Sequence, residues 1–143
     1  MEHYIEKLKS KGFKLTPRRH AIIKLFFECC GHMTPEDVFE KLKKNFTKCG
    51  VPGVYRNLES LAECGILARI QKFDRKRHYG LCHCGHDEHH HHITCIKCGK
   101  VDEIKDCVFD GVKKMNGYKV VNHFIQINGI CSSCLKNKIH TVK

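Results

Sequence analysis

The sequence predicts an α+β fold: an N-terminal winged helix-turn-helix module followed by a smaller α/β module with a four-cysteine zinc site. The prediction rests on three features of the chain. Helix start and stop signals recur through residues 1–65 and give way to two strand-like runs joined by a basic turn. Two C-x-x-C knuckles, Cys95-Ile-Lys-Cys98 and Cys131-Ser-Ser-Cys134, stand near the far end. The charge is also uneven: of 26 Lys+Arg and 15 Asp+Glu in 143 residues, residues 1–80 hold 17 and 9, a net +8 of the chain's +11. Seven of the 11 Cys and seven of the 12 His fall instead between Cys82 and Cys134. A basic half beside a thiol- and imidazole-rich half reads as a polyanion-binding module joined to a metal-binding one.

No apolar run approaches the roughly 20 residues that span a bilayer. Met1-Glu2-His3-Tyr4-Ile5-Glu6-Lys7 lacks the apolar block of a signal peptide. The expected location is therefore the cytoplasm, with no membrane partner. Thiols stay reduced there, so abundant cysteine suggests metal or redox chemistry rather than a disulfide framework.

In the front half, Ile5 and Leu8 mark one face of a first helix that Gly12 would end. Thr16-Pro17 is an N-cap followed by proline in the first turn, where its missing N–H costs nothing. Ile22, Leu25, Phe26 and Cys29 then share a stripe, and Gly31 closes that helix. Thr34-Pro35-Glu36-Asp37 repeats the start signal, with Val38, Leu42 and Phe46 at helical steps. A fourth helix is expected over 53–64, with Val54, Leu58 and Leu61 inward and Gly65 at its end. Ile66–Phe73 and His78–Leu81, joined by Asp74-Arg75-Lys76-Arg77, read as a hairpin.

Helices followed by a basic-tipped hairpin match the winged helix-turn-helix layout, with the fourth helix as recognition helix. Tyr55, Arg56 and Asn57 then face outward near the end that enters the major groove. Arg can fork onto guanine, Asn onto adenine, and Tyr can meet phosphate or a thymine methyl. Arg75, Lys76 and Arg77 at the hairpin tip suit phosphate contact, whereas Lys41, Lys43 and Lys44 suit a solvated face. The competing reading is a four-helix domain whose basic residues only confer solubility.

In the back half, each knuckle folds two thiolates toward one point. Cys95, Cys98, Cys131 and Cys134 complete a tetrahedral set, a closed structural zinc site with Zn–S distances of about 2.3 Å. A redox dithiol is the alternative for a single knuckle, and a matched pair disfavours it. Between the knuckles, a helix is expected over Cys107–Met115, a strand over Lys119–Ile127, and a turn at Asn128-Gly129. Ahead of them runs Cys82-His83-Cys84-Gly85-His86-Asp87-Glu88-His89-His90-His91-His92. Alternate residues of a strand share a face, so His90 and His92 would serve one site and His89 and His91 another. Neutral imidazole suits zinc, iron, nickel or copper, and a merely solvated loop is the bland alternative. Cys29, Cys30, Cys49, Cys64 and Cys107 read as small core or helix residues. Catalysis finds no candidate. His86-Asp87-Glu88 lacks the proline and spacing of a zinc deaminase, and neither H-E-x-x-H nor a Gly-rich phosphate loop occurs.

The motifs taken together resemble the ferric uptake regulator (Fur) family. They are Gly12-Phe13-Lys14-Leu15-Thr16-Pro17-Arg18-Arg19, His32-Met33-Thr34-Pro35-Glu36-Asp37-Val38 and Val54-Tyr55-Arg56-Asn57-Leu58. To these are added Gly65-Ile66, the histidine run into Cys95 and Cys98-Gly99-Lys100-Val101, and Asn122-His123 ahead of Gly129-Ile130-Cys131, spanning about residues 7–134. The resemblance implies a winged-helix domain over 1–81, a hinge and metal loop over 82–88, and an α/β dimerisation and metal-binding domain over 89–143. It implies a metal-dependent transcriptional regulator, chiefly a repressor, that binds palindromic double-stranded DNA operators as a homodimer, with a tetramer as a further possibility. Tyr55 and Arg56 fall on recognition-helix contacts, Lys14 on a minor-groove contact, and the four knuckle cysteines on the structural zinc. His32, His90 and His92, with Glu103 as an addition, fall on the regulatory site; His89, His91, Asp110 and His123 fall on a further site.

Three departures from the family pattern matter. Gly53 stands where threonine is common, and Gly caps a helix at a cost of only a few tenths of a kcal/mol. Peroxide-sensing members tend to carry aspartate where Glu103 stands. The carboxylate expected soon after Tyr79 is missing, so Cys82, His83 or Cys84 must replace it, and spacing does not choose among them. A thiolate turns a site suited to ferrous iron or manganese toward zinc. Zinc-uptake regulators of the family carry a cysteine in this region, so zinc is the expected regulatory metal, with iron next and manganese, nickel or peroxide sensing behind. The implied mechanism is a hinge clamp in which His32 and the Cys82–His92 segment meet at one metal. From another class, a His/Cys-rich metallochaperone or storage protein explains residues 82–98 but not the helix-turn-helix pattern.

Overall fold

The computed structural model describes residues 1–29, 31–72, 74–82 and 91–136. The architecture is α+β. Four helices, α1 (Glu2–Ser10), α2 (Pro17–Glu28), α3 (Pro35–Leu42) and α4 (Val51–Glu63), precede the strands β2 (Leu67–Gln71) and β3 (Arg77–Leu81). A two-residue strand, β1 (His32–Met33), adds to the other edge of β3 in the order β1-β3-β2, all antiparallel. The back half holds β4 (His91–Cys95), β5 (Val101–Ile104), β6 (Lys114–Met115), β7 (Tyr118–Lys119), β8 (Gln126–Gly129) and α5 (Ser132–Lys136). Among the described residues, no helix is long and apolar enough to cross a membrane.

Local chemistry explains the helices. Thr16 accepts a hydrogen bond from the Arg19 N–H at 3.2 Å, capping α2. Thr34 and Asp37 form a reciprocal capping box on α3: the Asp37 N–H donates to Thr34 Oγ1 and the Thr34 N–H to Asp37 Oδ2. Gly12 and Gly65 end their turns at φ +80° and +67°, a region that favours glycine. The apolar stripes then meet in one core. Leu8, Ile22, Ile23, Phe26, Val38, Val54, Leu58, Leu61, Ile66 and Tyr79 are fully or almost fully buried.

The structure moves several boundaries. The fourth helix starts at Val51, with Gly50 as its cap, rather than at 53, because Val51 and Pro52 already suit a first turn. Phe46 lies past the end of α3 yet still packs on the core. Expected helix 107–115 is absent. Residues 108–111 are turns, and β6 and β7 form a hairpin around Asn116 (φ +48°) and Gly117 (φ +83°). Two successive positive φ values are the requirement of a two-residue primed turn, which Asn-Gly meets. The expected strand 119–127 reduces to Tyr118–Lys119 and Gln126–Gly129. Asn128-Gly129 is not a turn: it lies in β8, parallel to β4 with Thr94 opposite Asn128 and Cys95 opposite Gly129.

The two sheets touch. Val101 of β5 packs with Ala68, Ile70 and Cys82 in a second small cluster. Gly80 makes that approach possible, since a β-carbon there would lie 2.9 Å from Ile70 Cδ1 and 3.0 Å from Val101 Cγ2. The Gln71 N–H donates to Gln126 Oε1 at 2.9 Å, and Gln126 Nε2 donates back to the Gln71 carbonyl at 2.9 Å.

Candidate functional site

The four knuckle cysteines converge. All their sulfurs lie within 4.8 Å of one another, with Cys98 Sγ and Cys131 Sγ 3.7 Å apart. A tetrahedral S₄ site at ordinary Zn–S length has edges of about 3.8 Å, so the donor set fits zinc. Backbone pairing builds the cup: the Ile96 N–H donates to the Gly129 carbonyl, the Gly99 N–H to the Cys95 carbonyl, and Gly99 takes φ +75°. N–H groups of Cys131 and Cys98 aimed at the Cys95 sulfur pull its thiol down to about 6, favouring the thiolate a metal needs.

The strand period separates the two described histidines of the run. His92, half-buried, turns toward Cys82, with Nε2 3.5 Å from the buried Cys82 sulfur. His92 also stands opposite Glu103 in the β4–β5 ladder. His91, 2% exposed, turns to the other face. There its Nε2 lies 3.0 Å from Cys107 Sγ and 3.1 Å from His123 Nε2, and Cys107 Sγ is 3.0 Å from His123 Nε2.

Cys107 is therefore not the core residue its sequence context suggested. A turn ahead of the β6–β7 hairpin brings it to two imidazoles, while Asp110, exposed, stays outside that cluster. Nothing local marks Cys107, whose partners lie 16 residues away on either side. His83, Cys84, His89 and His90 lie outside the described residues.

His32 does not join Cys82 and His92 in a metal-sized group among the described residues. Its ring lies 4.9 Å from that of His78, edge to face, and packs where a β-carbon of Gly99 would be. Burial, then the nearby Lys72 charge, lowers its pKa, so the neutral imidazole is favoured. Its Nδ1 has no hydrogen-bond partner among the described residues. His78 is held by Asp74 at 2.7 Å.

The front half also carries a basic surface. Arg56 is exposed and Tyr55 half-buried, with the Arg77 guanidinium 5.2 Å from the Tyr55 ring centre. Asn57 is already occupied, its Nδ2 donating to the Gly53 carbonyl at 2.8 Å. Lys14, Arg75 and Lys76 are exposed. Asp74 shapes the hairpin tip by accepting from the Lys76 N–H at 3.0 Å, and Arg75 takes φ +59°. Beneath them Glu59 of α4 accepts two hydrogen bonds from Arg69, at 3.1 and 2.7 Å, and one from the Tyr79 hydroxyl. Arg18 donates to the Lys48 carbonyl and Arg19 to the Lys14 carbonyl, so both tether loops.

The model of the family described as "Ferric uptake regulator family" matches residues 10–128. The chain is 33% identical over 143 residues to the ferric uptake regulation protein of Bacillus subtilis (strain 168), covering 94% of this chain and 96% of that protein. It is 28% identical to the peroxide operon regulator of the same organism, covering 98% and 97%. Among solved structures, the ferric uptake regulator of Francisella tularensis with iron shares 32% identity at a TM-score of 0.53, over 87% of this chain and 96% of that one. A zinc uptake regulator complexed with zinc and DNA has a similar fold, with a TM-score of 0.70 at 24% identity over 92% and 90%.

Proposed function

The chain belongs to the ferric uptake regulator family of metal-responsive transcriptional regulators, and on that premise we propose that it is a zinc-responsive repressor gripping palindromic double-stranded DNA as a homodimer. The observation that carries the choice of metal is the Cys82 thiol facing His92 Nε2 at 3.5 Å, because a thiolate beside imidazole prefers zinc to iron or manganese. Glu103 opposite His92 favours the iron-responsive reading as the alternative.

The domain reading is a winged helix over 1–81, a hinge over 82–88 and a dimerisation domain over 89–143. Tyr55 and Arg56 on α4 would read base edges while Arg75, Lys76, Arg77 and Lys14 meet backbone phosphate or the minor groove. Exposure of Phe109, Met115, Tyr118, Val121, Phe124 and Ile127 supports a second copy of the chain against the back half. The four knuckle thiolates would hold structural zinc.

His32 pairs opposite Gly80, and Gly80 and Cys82 share a face of β3's extension. With metal bound, His32 from the front half and Cys82, His90 and His92 from the hinge side would be drawn to one point, fixing the separation of two recognition helices. Moving a population from mostly inactive to mostly active takes about 5.5 kcal/mol of differential metal binding, within reach of transition-metal coordination.

The test is fluorescence anisotropy on AT-rich palindromic DNA, with zinc titrated against wild type, His32→Ala and Cys82→Ser. Both variants are expected to lose zinc-dependent binding while keeping the four-thiolate zinc and the dimer. Undiminished zinc response in both overturns the clamp, and a wild-type response to ferrous iron but not zinc overturns the choice of metal.

A further inference from the structure

We propose that the further metal site on His91 and His123 takes its third donor from the Cys107 thiolate rather than the Asp110 carboxylate, binds zinc, and staples the neck of the β6–β7 hairpin. The family resemblance implied a carboxylate here, Asp110, and the geometry assigns a thiolate instead. His91 Nε2, Cys107 Sγ and His123 Nε2 form a triangle with sides of 3.0, 3.1 and 3.0 Å. Tetrahedral zinc with one sulfur and two nitrogen donors has edges of roughly 3.3–3.6 Å, so the three atoms already share one centre. The anchor is rigid: His91 is buried at the start of β4, a strand paired on both edges, to β5 and to β8.

The topology says what such a site does. Cys107 and His123 bracket a segment whose regular structure is two two-residue strands, and which is exposed at Val108, Tyr118 and Val121. That segment buries almost nothing of its own. Tying its two ends to His91 closes the excursion at its base and holds its apolar side chains on one side of the β4 sheet. The donor chemistry selects the metal, since one thiolate with two imidazoles suits zinc over manganese or ferrous iron. Only metal binding is needed, not operator binding, so failure here leaves the regulator reading standing.

The experiment uses the full chain with its four-thiolate zinc in place, in a Cys82→Ser background that removes the regulatory thiol. Cobalt(II) is titrated as a spectroscopic stand-in for zinc. A thiolate-to-cobalt charge-transfer band is expected, and Cys107→Ser is expected to abolish it while metal analysis still finds the knuckle zinc. Cys107→Asp should keep binding without that band and weaken zinc relative to manganese by about tenfold or more. In hydrogen exchange, zinc should protect amides of residues 108–122 in the Cys82→Ser chain and not when Cys107 is also serine. A band that survives Cys107→Ser, or no band in the Cys82→Ser chain, or zinc without effect on 108–122, overturns the proposal.

Discussion

Glu59 is the residue on which the proposed DNA-facing surface is assembled. Its carboxylate holds Arg69 and the Tyr79 hydroxyl, and lies 3.5 Å from Arg77, the arginine stacked on Tyr55. Hydrogen bonding from Arg69, opposed by burial, holds the carboxyl below its usual range, while burial raises the Tyr79 hydroxyl well above its own. A carboxyl depressed on folding contributes stability that is complete above the ordinary carboxylate range and is lost as pH falls through the lowered value. Glu59→Gln is expected to cost about 1–2 kcal/mol at neutral pH and to flatten the acid limb, read by urea unfolding at several pH values. It should also loosen the β2–β3 hairpin, because Arg77 loses the charge that positions it. Nothing in the sequence near Glu59 announces this. Its partners lie 10 and 20 residues away and become neighbours only when β2 and β3 fold under α4.

At the scale of elements, the helices were legible because their signals are local. Thr34 and Asp37 satisfy each other's backbone N–H across three residues. Thr34→Ala should therefore cost about 1 kcal/mol, seen as a lower urea midpoint with unchanged slope. The strands of the back half were less legible. Asn116-Gly117 and Asn128-Gly129 offer the same turn dipeptide, yet the first makes the hairpin and the second pairs in parallel with β4. The difference is long-range: β8 completes its hydrogen bonds on a strand more than 30 residues earlier, and an Asn-Gly turn there would forfeit that ladder. Likewise β1, two residues long, exists only because β3 offers an edge.

The whole molecule divides its stability unequally. The main buried cluster runs from Tyr4 to Leu81, whereas past Cys82 the buried hydrophobic side chains among the described residues are Cys95 and Val101. A half with so little core needs other cross-links, and coordination free energy becomes folding free energy in such units. Stripping metal from the four knuckle thiolates with a strong chelator is expected to expose β4, β5 and β8 to rapid hydrogen exchange. The helices of the front half should keep their protection and their own cooperative melt. Simultaneous loss of both halves would contradict this division.

What the sequence determined by itself is what local physics decides: the caps, the apolar stripes of the first four helices, the knuckle pair whose spacing already implies one centre, and the alternation that sends His91 and His92 to opposite faces. Only the tertiary structure decided which partners those faces meet. Cys82 reaches His92, Cys107 displaces Asp110 beside His91 and His123, and His32 packs on Gly99 of the first knuckle. Each of these pairings joins residues ten or more positions apart, and closing such loops depends on sheet pairing and core packing that no short window of residues encodes.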